Sequence, residues 1–382
     1  MLTELINNSR SQIFNGDLEQ AESSYRKLTQ LFPLVSSGWA TLGLVLMLLN
    51  KPMEALPCVE KAFSLDPSER LYFDFVVECR LRIGDLRRGF EMLVQFERFS
   101  ECAPQWDGFS SLVGLSIVIN AEFGLGDVIQ FARYFRLLKE ARGAGRVILH
   151  MPLDTHHRLL GLIETAPGLD EVCRQVRPPD ADFYAPLFSL PGLFKTDVGT
   201  IPARLPYLFP SQPELDWIRS YSSSCGFKVG LCWQASVKTE VRWNERCIPS
   251  QYLAPLMNLP GVSIYNLQGG EARRDSFPGS NSMRDLSGFP QTLRRDAALI
   301  SEMDLILTCD TVIAHLAGAL GKRTWVMLPY STDWRWAENG ENGENSAWYP
   351  GVMKLYRQEQ PGDWAAVIDR VRRDLLDHSR LH

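Results

Sequence analysis

The sequence predicts an α/β protein in which an all-α helical-repeat module precedes two parallel-sheet domains. Three observations predict it. Related phrases recur 34 residues apart over roughly the first hundred residues, and from about residue 113 apolar β runs alternate with helical stretches. A proline-rich connection, "IPARLPYLFPSQPEL" (201–215), separates two such alternating series and suits a hinge or linker. With 382 residues, 45% hydrophobic and 22% charged, the chain has the composition of an ordinary globular protein long enough for two or three domains.

The module, residues 1–100, is read from three phrases in register: "NGDLEQAE" (15–22), "NKPMEALP" (50–57) and "IGDLRRGF" (83–90). Gly16, Lys51 and Gly84 are taken as equivalent turn positions. Ala21, Ala55 and Gly89 keep the 34-residue spacing, as do Pro33 and Pro67. Small residues let paired helices approach closely, and a proline closes the second helix of each pair. The pattern resembles the tetratricopeptide repeat, most clearly in the middle copy with Trp39, Leu42, Gly43, Ala55, Ala62 and Pro67. About three copies are expected, either bracing the α/β domains or holding a peptide or protein on a concave face.

In the first α/β series, "LSIVIN", "GDVIQFARYFRLLKEAR", "RVILHM" and "DTHHRLLGLIETA" read as strand, helix, strand and helix. The second runs from "KVGLCWQ" (228–234) through a helix near "SQYLAPLM", the strand "VSIYNL", a helix in "TLRRDAALISEM" and the strand "DLILT". This pattern gives two Rossmann-like domains, 101–210 and 211–382, the second closing with a terminal helix. Ligands of open α/β sheets sit beyond the carboxyl ends of the strands, so a cleft between two such domains is the default site.

Composition narrows the partners. A net charge of -5, a pI near 5.8 and arginines in scattered pairs (Arg87-Arg88, Arg294-Arg295, Arg372-Arg373) argue against a dedicated nucleic-acid binder. The eight cysteines show no C-x-x-C or short Cys/His spacing, which indicates neither a zinc site nor a disulfide framework and fits a reducing cytosol. The longest apolar stretch, "GWATLGLVLMLL" (38–49), falls short of the roughly 20 residues that span a bilayer. Glu4 and "NNSR" spoil a signal peptide, so a cytoplasmic location without a transmembrane segment is expected.

Two motifs lie at predicted strand ends. In "AEFGLGDVIQFARY" (121–134), Gly124 and Gly126 permit close backbone approach and positive φ, and Asp127 opens a helix. The run is too short for a G-x-G-x-x-G dinucleotide fingerprint. In "LILTCDTVIAHLAGALGKRTWVMLP" (305–329), Asp310 and Thr311 stand where a strand passes into a helix, and His315 comes one turn later. The helix start, with a partial charge of about +0.5, suits a diphosphate. Equally, Asp310 is a good N-cap and a lone histidine on an apolar helix is often a core residue.

Taken together, the segments resemble bacterial tetratricopeptide-repeat proteins with a glycosyltransferase domain related to the lipopolysaccharide heptosyltransferases, glycosyltransferase family 9, of GT-B fold. The residues that carry the resemblance are Trp106-Asp107-Gly108, "GLGDVIQFARY", "FYAPLFSLP" (183–191), "GLCW" (230–233), "LQGGE" (267–271), "DTVIAHLAGALG" (310–321), "DWRW" (333–336) and "WYP" (348–350). The resemblance implies that Asp127 serves as general base toward an acceptor hydroxyl. It implies that Asp310, Thr311 and His315 bind the diphosphate of a nucleotide sugar, with Gly124, Gly126 and Gln268 of "LQGGE" in the donor-binding set. Lys238, Arg242 and Arg246, in the loop after "GLCWQ", are candidates for a cation that stabilises the departing nucleoside phosphate, and are equally read as solvated.

The expectation is an inverting, metal-independent transfer with no cofactor beyond the nucleotide-sugar donor. The acceptor is expected to be a protein docked by the repeats, such as flagellin or another surface protein. Heptose is suggested by the family; nonulosonic acids and hexosamines stay open. The alternatives are a non-catalytic scaffold with a degenerate GT-B domain and a nucleotide-sugar epimerase. Three departures from the family bear on this: Val312 stands where it has glycine, the first Rossmann-like domain (about 113–208) is short, and 337–348 forms an enlarged loop. "DAD" (180–182) mimics an Asp-x-Asp metal motif, and Trp334 and Trp336 are open to stacking on a ligand or to packing.

Overall fold

The computed structural model describes residues 11–13, 15–96, 103–152, 154–221, 226–235, 246–285, 292–337 and 343–379. The chain divides into two compact units. One is helical, Met1–Phe96 with Lys195–Thr200 and Ser331–Asn339; the other, α/β, holds the rest.

The helical unit contains α1 (Leu18–Leu31), α2 (Ser36–Leu48), α3 (Pro52–Leu65), α4 (Arg70–Arg82) and α5 (Leu86–Phe96). Alternate helices start 34 residues apart, at 18, 52 and 86 and at 36 and 70, so the sequence period is the period of a helix pair. The left-handed turn residues also recur at this spacing, but they are Gly16, Asn50 and Gly84, with φ of 83°, 55° and 82°. Asn50 therefore holds the position the sequence reading gives to Lys51. Asparagine is among the few residues with a side chain that visit this region readily, and Lys51 instead pairs its Nζ with Glu22 at 2.7 Å. The small residues act as expected. A Cβ on Gly43 would lie 2.3 Å from Val59 Cγ1, and one on Gly89 2.6 Å from Leu81 Cδ2. Ala21, Ala55 and Ala62 are fully buried.

Two outlying segments complete this unit. Ser331 Oγ donates to the Met47 carbonyl (2.8 Å) and accepts from Arg82 Nη1 (3.0 Å). Trp334 meets Phe90 edge to face at 5.5 Å, and Trp336 is fully buried. Both "DWRW" tryptophans pack as core, which resolves the two readings open for them.

The α/β unit has two wholly parallel sheets. The first contains β1 (Ser116–Asn120), β2 (Arg146–His150), β3 (Glu171–Cys173) and β4 (Phe183–Pro186), in the order β3-β2-β1-β4. The second contains β5 (Phe227–Cys232), β6 (Val262–Asn266), β7 (Leu305–Cys309), β8 (Thr324–Leu328) and β9 (Met353–Arg357), in the order β6-β5-β7-β8-β9. Strands of parallel sheets are covered on both faces, so "LILTC" and "TWVML" read as unbroken apolar runs and every residue in them is buried. Their helices include α6 (Leu125–Phe131), α7 (Phe135–Glu140), the single turn α8 (Leu190–Leu193), α9 (Gln212–Tyr221), α10 (Leu293–Ser301), α11 (Val312–Ala319) and the terminal α12 (Trp364–Ser379).

The two-sheet α/β class is as predicted, but several elements differ. The stretch read as one helix after "GLG" breaks at a 3-10 turn, Ala132–Tyr134, where Arg133 turns into the interior. "DTHHRLLGLIETA" forms 3-10 turns on either side of Gly161, whose φ of 79° ends a helix. "SQYLAPLM" likewise forms two 3-10 turns, Pro255 lacking the N–H that an α-helix needs. Strands β3, β4 and β9 are not among those the sequence predicts: β3 has three residues, and β9 carries Lys354 and Arg357 at a sheet edge. The 201–215 connection is anchored rather than loose, since Tyr207 N donates to the Ala319 carbonyl at 2.9 Å.

Candidate active site

Each sheet reverses its strand order once, between β1 and β4 and between β5 and β7. Crevices open at such switch points beyond the carboxyl ends of the strands. The segments that leave β1, β5 and β7 carry most of the residues singled out from the sequence.

Beyond β1, Gly124 is the N-cap of α6, with φ -75° and ψ 170°, and its N–H donates to Asp127 Oδ2 at 2.9 Å. Asp127 thus caps its own helix from the third position while remaining half-buried. The expectation of positive φ does not hold at either glycine: Gly124 is extended, and Gly126 lies within α6. What Gly126 provides is room. A Cβ there would come 3.0 Å from Cδ2 and 3.6 Å from Nε2 of His315, so α6 and α11 meet at this glycine.

Beyond β7, Thr311 is the N-cap of α11, its Oγ1 accepting from Ile313 N at 3.1 Å. Asp310, read as the cap, does not fill that role. Thr311 sits one residue nearer the helix, and the Asp310 carboxylate instead lies 3.8 Å from Arg246 Nη1, with both side chains largely buried. His315 is 5% exposed and places Nδ1 2.9 Å from the Tyr349 hydroxyl. Beyond β6, Gln268 is buried, its Oε1 accepting from Trp233 N (3.0 Å) and Gln234 N (2.9 Å) at the end of β5. Its Nε2 donates to the Gln234 and Gly269 carbonyls. Its amide therefore shapes the end of β5. Arg246 reaches the cluster; Lys238 and Arg242 lie outside the described residues.

Two thiols line the same strand ends. Burial pushes the Cys232 thiol up to about 12 and Cys309 well above its usual range, so both stay protonated at neutral pH and supply no thiolate. Asp182 of "DAD" sits elsewhere: its carboxylate accepts from Ser116 N and Oγ (2.8 and 2.7 Å) at the amino end of β1.

Sequence reasoning missed four residues of this region. His156 is fully buried, and its Nε2 lies 2.7 Å from the Phe123 carbonyl. A carbonyl only accepts, so Nε2 carries the proton. Burial lowers its pKa, and the charge of Asp127 acts in the opposite sense. Asp296 is half-buried, its pKa raised to about 6 by burial against the pull of Arg158 and Arg273. Arg133 and Tyr349 are buried beside His315. The available signals were an arginine inside the apolar "QFARY" and the "HH" after β2, both weak without the fold.

Among solved structures, the chain matches the glycosyltransferase family 9 protein of Veillonella parvula at a TM-score of 0.51 and 11% identity, over 71% of this chain and 100% of that one. The fold is that of the family 9 glycosyltransferases. This GT-B fold, two parallel-sheet Rossmann-like domains, comes after an N-terminal helical region. The ADP-heptose lipopolysaccharide heptosyltransferase II of E. coli aligns at a TM-score of 0.47 and 13% identity, over 68% of this chain and 97% of that one. Protein FlbA of Caulobacter vibrioides is 25% identical over 304 residues, 73% of this chain; the match spans 49% of that protein's length. No family model matches the chain. Among the described residues, no helix is long and apolar enough to cross a membrane.

Proposed function

We propose that this chain is a nucleotide-sugar-dependent glycosyltransferase. The observation that carries the reading is the meeting of Gly126 and His315, which brings the G-L-G-D turn of the first sheet against the D-T-x-x-x-H segment of the second. Two motifs 183 residues apart from Asp127 to Asp310 gain nothing from this closeness as mere helix caps. As two sides of one transfer site they do.

In this reading a donor diphosphate lies at the start of α11, held by Thr311, His315 and the Arg246 guanidinium. Asp310 fixes Arg246. Asp127 takes the proton of the acceptor hydroxyl as that oxygen attacks the anomeric carbon, and the nucleoside diphosphate leaves from the opposite face with inversion. Charge on the leaving group is met by Arg246 and the helix start, without a metal ion in this scheme. The acceptor is a protein engaged by the helical repeats. The Veillonella parvula neighbour makes sugar transfer the natural class, and heptose is the first donor to try.

The test is a screen of ADP-, UDP-, GDP- and CMP-sugars for binding and turnover by the full chain, with Asp127→Asn and His315→Ala beside it. Binding of one donor that survives Asp127→Asn while turnover is lost supports the reading. Conversion of donor to an epimer without any acceptor would replace transfer by epimerisation.

A further inference from the structure

His156 lies in the 3-10 turn Asp154–Leu159 that follows β2, and its side chain is fully buried. Its Nε2 is 2.7 Å from the Phe123 carbonyl, while its Nδ1 has no hydrogen-bond partner among the described residues. Burial disfavours the charged imidazole, so one nitrogen carries the proton, and the carbonyl, which only accepts, places it on Nε2. A leucine would fill such a space without burying a nitrogen that pairs with nothing. What the imidazole adds is the one bond it donates.

That bond lands on a particular peptide. The Phe123 carbonyl and the Gly124 N–H belong to one planar unit, and this N–H donates to Asp127 Oδ2 at 2.9 Å. His156 and the Asp127 carboxylate therefore hold opposite ends of the same peptide. The Gly124 carbonyl in turn accepts from Asp127 N at 3.1 Å, which ties the glycine to Asp127 a second time. Because glycine has no Cβ, the peptide before it can rotate at little steric cost, and rotation would swing the N–H away from the carboxylate. The bond from His156 resists this rotation. It also polarises the peptide, so that the N–H becomes a stronger donor to Asp127.

We infer that His156 is a positioning residue for Asp127, acting through the Phe123–Gly124 peptide that both side chains hold. That Asp127 is a base rests on the transfer reading above; the lock on its carboxylate does not. In the transfer His156 touches neither sugar nor acceptor. Its part is to keep the carboxylate in a single orientation beyond β1, where a half-buried side chain would otherwise sample several rotamers.

The chain has 28 glycines and six histidines, so glycine-amide and imidazole-nitrogen spectra of the full protein, labelled at those nitrogens and recorded at pH 8, are tractable. Gly124→Ala, which the φ of -75° permits, and His156→Gln assign the two signals. The expected result in wild type is a proton on Nε2 of His156; a proton on Nδ1 with Nε2 bare overturns the inference. The Gly124 amide proton is expected to move upfield in Asp127→Asn and in His156→Leu. It should return toward its wild-type position in His156→Gln, whose side-chain amide restores a donor. An unmoved Gly124 signal in His156→Leu also overturns the inference, and His156→Met serves if His156→Leu does not fold. With the preferred nucleotide sugar, His156→Leu should lower kcat about threefold to tenfold with the donor KM within about twofold, and His156→Gln should recover most of the loss. Adding His156→Leu to Asp127→Asn should cost nothing further; losses that multiply overturn the inference. If wild type turns over no donor, the transfer reading fails, and the Gly124 and His156 signals alone decide the lock.

Discussion

The helical unit and the α/β unit are held in opposite ways. In the first, order comes from repetition: a small residue and a left-handed turn residue each return every 34 residues, as Pro33 and Pro67 do once, and Gly43 or Ala55 matters because it lets two backbones come close. In the second, the informative contacts join residues far apart in the chain and are polar: Arg133 to Trp348, His315 to Tyr349, Arg246 to Asp310. A repeated packing unit announces itself through its period. A site assembled from unlike loops does not.

If that contrast is right, substitutions in the two units separate cleanly. The largest effect is expected at Asp127: Asp127→Asn should lower turnover of the best donor by about 10²- to 10⁴-fold with its affinity within about twofold, read by steady-state kinetics and calorimetry. Next is Gly43→Leu. Its side chain has no space against Val59, so the variant should lose about 1–3 kcal/mol in chemical denaturation while donor binding persists. Loss of donor binding along with stability would make the two units one cooperative whole.

Asp296 gives a smaller effect with a definite sign. Its folded pKa of about 6 lies above the usual 3.8, so between these values the folded chain keeps a proton that the unfolded chain has released. Stability therefore falls as pH rises through this window, and the penalty is complete above about 6. Asp296→Asn should melt about 2–5 °C above wild type at pH 8 and with wild type at pH 3.5. A lower melting point at pH 8 would mean that the ionised carboxylate is held by partners rather than penalised. The smallest effect is at Asn50: Asn50→Gly should change stability by less than about 0.5 kcal/mol, and Asn50→Val should cost about 1–2 kcal/mol.

The same contrast explains what could be read in advance. Parallel strands covered on both faces leave apolar runs, so β1, β2, β5, β6, β7 and β8 were legible and their order implied the two sheets. Edge strands such as β9, with its Lys354 and Arg357, leave no such run. Asp127 and His315 were singled out because each stands at a strand-to-helix passage with family-like spacing. The assignments of Asp310 as cap and of positive φ to Gly124 and Gly126 came from local propensity, which tertiary contacts overrode: Arg246 claims Asp310, and His315 claims the space over Gly126. Arg133, Tyr349 and His156 act through partners 33 to 215 residues away, and no local pattern encodes such pairings.

The central claim is that the Gly126–His315 seam joins the acceptor and donor sides of one transfer site. The most direct measurement is binding and turnover of the nucleotide-sugar panel by wild type and His315→Ala. The account predicts one preferred donor, bound at least about fivefold more weakly by His315→Ala. A panel in which no donor binds, or a preferred donor whose affinity His315→Ala leaves unchanged, contradicts it.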